Sequence, residues 1–80
     1  MSKYSILTKT QLTPKMLESL MEFHERELLN LEPYDVALAP SAKSLISREL
    51  VIVKPYVTAK GKSFLGVYVT DLGRKYLSQL

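Results

Sequence analysis

Eighty residues with a net charge of +3 and no cysteine leave room for one small core and exclude disulfide frameworks, thiolate metal sites and cysteine nucleophiles. No apolar run approaches the roughly 18 residues of a membrane span, and the first dozen residues lack a signal peptide's continuous apolar stretch, so a cytoplasmic protein with no membrane partner is expected. The charge is uneven: residues 1–32 carry four basic and five acidic groups, residues 33–80 seven and three, which suits a half facing a polyanion and a half turned elsewhere.

Residues 1–12 form an N-terminal segment, and residues 13–80 one domain. Tyr4, Ile6 and Leu7 are apolar enough to pack on a neighbouring subunit, which would suit a homodimer. Gln11-Leu12-Thr13-Pro14 starts a helix: Thr13 caps, Pro14 fits the first helical position, and Leu12 packs on Leu17 as a staple. This first helix runs to about Asn30. At about 100° per residue, Met16, Leu17, Leu20, Met21, Leu28 and Leu31 share one face, with Lys15, Glu18, Glu22, Glu25 and Arg26 opposite. His24 falls within the apolar stripe and reads as a partly buried neutral imidazole with a hydrogen-bonded partner. As a metal ligand it could pair only with Glu27, and no second histidine or cysteine exists to complete a site, so no metal and no cofactor are expected.

Pro33 and Pro40 bracket PYDVALAP, with space for a second helix of a turn or two. Ser41 then caps a third, SAKSLISREL, which buries Ala42, Leu45, Ile46 and Leu50 and turns Lys43, Ser44, Ser47 and Arg48 outward. Val51 to Thr58 is β-branched and aromatic and reads as a strand, with Pro55 marking an unpaired edge. After the turn Ala59-Lys60-Gly61-Lys62-Ser63, alternation from Phe64 to Val69 predicts the return strand of a hairpin, with Leu65, Val67 and Val69 inward. Thr70 caps a last helix reaching Leu80, in which Leu72, Tyr76 and Leu77 make the apolar stripe and Gly73 permits close packing on the sheet.

The fold class is therefore α+β, with three N-terminal helices, a β-hairpin and a C-terminal helix. This order, with SLISRELV entering the hairpin and VYVTDLGRKYL leaving it, resembles the winged helix-turn-helix domains of bacterial and phage regulators over about residues 12–80. In that family the third helix commonly ends in Arg-Gly-Leu-Val, and the second wing strand in Leu-Thr-x-x-Gly. Here those places hold Arg48-Glu49-Leu50-Val51 and Val69-Thr70-Asp71-Leu72-Gly73. Glu49 departs from the pattern where glycine would take a left-handed turn, and the second helix is squeezed between two prolines.

The resemblance implies a small duplex-DNA-binding protein, a regulator of transcription or of a phage or plasmid replication step. Lys43, Ser44, Ser47 and Arg48 would meet the major groove, with Arg48 able to donate two bonds to a guanine. Lys60 and Lys62 at the wing tip would lie along phosphates or in the minor groove. The rival is a winged-helix protein-interaction module that does not bind DNA. Its surface would be the acidic face of Glu18, Glu22 and Glu25, in which Glu22 pairs with Arg26, or the aromatic cluster of Tyr56, Phe64 and Tyr68 on the outer side of the hairpin. The three glycines are scattered and no nucleophile elbow or paired carboxylate set is present, so no enzymatic activity is expected.

Overall fold

The computed structural model describes residues 12–80. The elements are α1 (Pro14–Leu28), α2 (Ala42–Ser47), β1 (Val51–Val57), β2 (Ser63–Val69) and α3 (Asp71–Ser78). This is a small α+β domain of three helices and a two-stranded antiparallel hairpin. The readings of Tyr4, Ile6 and Leu7 lie outside the described residues.

Thr13 caps α1 as expected, its hydroxyl accepting from the Met16 amide at 3.2 Å, and Pro14 occupies the first helical position. The helix closes where Asn30 turns left-handed at φ 59°. The amides of Asn30 and Leu31 then bond back to the Glu27 and Arg26 carbonyls at 3.1 and 2.9 Å, which satisfies the last carbonyls of the helix. The buried face is narrower than the leucine count suggests. Met16, Ser19, Leu20 and Phe23 are buried, while Met21, Leu28 and Leu31 are exposed. Phe23 centres the core face, and the stripe predicted through Met21 and Leu28 lies to one side of it.

PYDVALAP is not a helix, so two helices, not three, precede the hairpin among the described residues. Asp35 Oδ1 accepts from the Ala37 amide at 2.9 Å, a local turn that competes with helical bonding. The flanking backbone serves the sheet instead: the Val36 amide donates to Leu65 O at 2.9 Å, and the Val67 amide donates to Tyr34 O at 3.0 Å. Asp35 thus makes a single bridge to Gly66, and the segment covers the free edge of β2. Gly66 is required for this approach, because a Cβ there would lie 2.7 Å from Pro33 Cγ.

α2 is shorter than SAKSLISREL, spanning Ala42–Ser47. Its inward face is as expected, with Ala42 and Leu45 buried and Ile46 packed against the core. Ser41 does not cap through its side chain, for it sits left-handed at φ 60° with no such bond. Glu49 adopts the left-handed geometry that glycine would favour, at φ 61°. The Glu49 and Leu50 amides bond to Ile46 O and Leu45 O at 2.9 and 3.0 Å, so the departure in residue type leaves the turn intact.

The strands pair in the register Val51↔Val69, Val53↔Val67, Pro55↔Leu65 and Val57↔Ser63, which puts these residues on one face. Only the base of that face meets the core. Val51, Val67 and Val69 are buried, but Leu65 and Val57 are exposed. Leu65 was expected inward; the alternation is right, but the hairpin runs past the core before Leu65 can be covered. β1 pairs on one side only, so Pro55 removes no ladder hydrogen bond from a second neighbour. The core is Leu20 and Phe23 of α1, Leu45 of α2, Leu50, the valines of the hairpin base, and Tyr76 of α3.

Candidate nucleic-acid interface

The base of the hairpin is fixed by contacts from both neighbouring helices. Thr70 caps α3, accepting from the Gly73 amide at 3.0 Å, and its hydroxyl donates to Glu49 O at 2.7 Å. The backbone repeats the link, since the Thr70 amide donates to Leu50 O at 3.0 Å. Gly73 is buried where a Cβ would collide with the Leu50 carbonyl and come within 2.7 Å of Val69 Cγ1, so α3 presses on this junction as the Thr-Asp-Leu-Gly sequence predicts.

Glu27, weighed in the sequence only as a metal partner for His24, completes the junction. Glu27 Oε2 accepts from the Val69 amide at 2.6 Å, and its other oxygen lies 3.6 Å from Arg74 Nη1. Arg74 also donates to Val69 O at 3.1 Å and pairs with Asp71. Glu27 thus continues along β2 the edge protection that Tyr34 and Val36 begin. The signal for it was its spacing: Glu27 falls four residues after Phe23 on the core face, where a carboxylate needs a partner.

The opposite end of the hairpin carries the two turn lysines. Lys60 and Lys62 are exposed on either side of Gly61, whose φ of 87° makes the turn. The turn is closed by the Gly61 amide on Thr58 O at 2.9 Å and the Thr58 amide on Lys62 O at 2.7 Å, while Thr58 Oγ1 accepts from the Lys62 amide at 3.1 Å. The lysine side chains form no ion pair among the described residues. In α2, Lys43, Ser47 and Arg48 are exposed and Ser44 is half-buried. The Ser44 carbonyl accepts from Ser47 Oγ at 2.9 Å and from Arg48 Nη1 at 3.0 Å, so Arg48 is folded back along its own helix end.

The acidic and aromatic candidates are placed differently. Glu18, Glu22 and Glu25 lie exposed on α1. The expected Glu22–Arg26 pair is not formed, because Tyr34 stands between them: its hydroxyl donates to Glu22, and Arg26 lies 4.6 Å over its ring while donating from Nε to Glu32 O at 2.7 Å. The hydrogen bond to Glu22, with burial and the Glu22 charge adding, raises the Tyr34 pKa above its ordinary value. Tyr56 and Phe64 are cross-strand neighbours with ring centroids 5.4 Å apart. Tyr68 shares their face, and Lys54 Nζ sits 4.6 Å over its ring. Burial raises the Tyr68 pKa as well, with smaller contributions from Tyr56 and Glu27. All three rings are half-buried, and Tyr56 and Tyr68 share a cleft with Glu27, Asn30, Leu31, Glu32 and Pro33.

His24 is half-buried, but its Nδ1 has no hydrogen-bond partner, contrary to the expected pairing. It lies on the side stripe of α1 beside Met21, Glu25, Leu28 and Leu77, where no group of the described residues bonds that nitrogen. No group of three potential metal ligands is found among the described residues, and no helix among them is long and apolar enough to cross a membrane. No family model, curated protein or solved structure matches the chain.

Proposed function

We propose that the chain is a winged-helix domain that binds duplex DNA as a cytoplasmic regulator of transcription or of a phage or plasmid replication step. In this reading α2 offers Lys43, Ser44, Ser47 and Arg48 to the major groove, and the hairpin is the wing, its Lys60 and Lys62 set along the phosphates. The turn at Val36–Leu38 stands in for the second helix of the motif.

The observation that carries the reading is the reach of the hairpin. Leu65 and Val57 are exposed, so the hairpin extends beyond what the core needs, and its far end holds two exposed lysines around a glycine turn. An extension of this kind contributes little burial to folding, whereas a cationic finger adds salt-sensitive affinity for a polyanion. The acidic groups of Glu18, Glu22 and Glu25 are confined to α1, away from the hairpin in sequence and on its solvent side. Arg48 must leave the Ser44 carbonyl to read a base, and one exposed hydrogen bond is a small cost for doing so.

Fluorescence anisotropy on mixed duplex DNA across a salt series tests this. Binding that strengthens steeply as salt falls is expected. Arg48→Ala should lose about 1–3 kcal/mol on a selected site and less on random duplex, since a base-reading arginine contributes discrimination as well as charge. A flat null at low salt would contradict the reading.

A further inference from the structure

Three of the exposed apolar side chains, Met21, Leu28 and Leu80, are gathered in one place. Met21 and Leu28 of α1 are 53% and 71% exposed, and Leu80 is 63% exposed. With His24 and Leu77 they line a groove of about 380 Å³ between the second half of α1 and the end of α3. Toward the start of α1, Leu17 and Met21 continue into a second depression whose other members are Pro14, Glu18, Glu22 and Glu25. Residues 17, 21, 24 and 28 fall on one helical stripe, about 16 Å long at 1.5 Å per residue. The three glutamates form a ridge along one side of it, and α3 forms the wall on the other.

We propose that this stripe is the docking surface for an amphipathic helix of another protein, with leucine-like side chains on one face and lysine or arginine along one flank. Three turns of apolar surface match the spacing by which a helix is held in a groove. The flank is assigned by charge: among the described residues the groove lining holds Glu18, Glu22 and Glu25 and no lysine or arginine, so a bound helix gains by bringing cations to the ridge. A second copy of this chain fits worse. An antiparallel copy would set ridge against ridge across the two-fold axis, and a parallel copy would set the ridge against Leu77 and Leu80, so neither sets a row of cations against the three glutamates.

The test titrates the full chain into a labelled helical peptide of about 18 residues, with leucines at positions i, i+4, i+7 and i+11 and lysines along one flank. Two control peptides carry glutamates in place of the lysines, or serines in place of the leucines. The leucine–lysine peptide should bind at least about tenfold more tightly than either control, the size expected from a few exposed charge pairs. Glu18→Lys with Glu25→Lys should reverse the flank preference. Met21→Asp and Leu28→Asp should abolish binding, with thermal melts unchanged because both residues are exposed. Equal binding of the lysine and glutamate peptides, or full binding of the serine control, would overturn the proposal. So would sedimentation showing a dimer of this chain that Leu28→Asp dissolves, since the occupant would then be a second copy.

Discussion

At the base of the hairpin, Val51 and Val69 are buried, and the chain around them is bonded to α1 through Glu27 and to α3 through Thr70 and Arg74. At the tip, Lys60, Gly61 and Lys62 are exposed and their hydrogen bonds stay within the turn. The same two strands thus differ along their length. Side chains that stabilise the fold sit at one end, and groups whose charge is unspent sit at the other. Substitutions at the base should therefore read out as stability and those at the tip as binding.

The largest effect is expected at Gly73. Gly73→Ala forces a methyl into the Leu50 carbonyl and Val69, and should cost about 3 kcal/mol by displacing α3, seen as an earlier urea midpoint. Glu27→Ala comes next. It leaves the Val69 amide unpaired and Arg74 without one of its carboxylates, a loss of about 2 kcal/mol for a hydrogen bond to a charged group. Glu27→Gln should recover part of it by keeping an acceptor at Val69. Thr70→Ala removes both the cap on Gly73 and the bond to Glu49 O, for about 1–2 kcal/mol. The smallest change has the opposite sign: Glu49→Gly relieves a left-handed residue at φ 61° but loosens the unfolded chain, for a net gain of about 0.5 kcal/mol. A base variant that melts with the wild type would break the comparison at that residue.

The base of the hairpin was legible in the sequence because each device there has a local signature. Alternating valines, a capping threonine and a glycine three residues on are neighbours in the chain, and all fall where they were expected. The same holds for Lys60-Gly61-Lys62, which a turn must expose. What was not legible depended on partners distant in sequence. PYDVALAP has the composition of a short helix, yet Tyr34 and Val36 are drawn to the β2 edge some thirty residues on. The face of α1 was misjudged because six leucines and methionines outweighed Phe23 in a count that could not know where α3 would stop. Glu22 and Arg26 have helical pairing distance, but Tyr34 offers the carboxylate a hydroxyl and the guanidinium a ring. Among the DNA candidates, sequence placed Lys43, Ser47 and Arg48 on an exposed face correctly, but not the Arg48 side chain's bond to Ser44 O.

The central claim, that the hairpin tip binds and its base holds, is tested most directly on Lys60→Ala/Lys62→Ala. Affinity for mixed duplex DNA and the urea midpoint are measured on the same preparation. The account predicts an unchanged midpoint, weaker binding to every duplex alike, and a salt slope smaller by about 1.8, the equivalent of two phosphates at roughly 0.9 each. Wild-type affinity and slope in the double variant would contradict it.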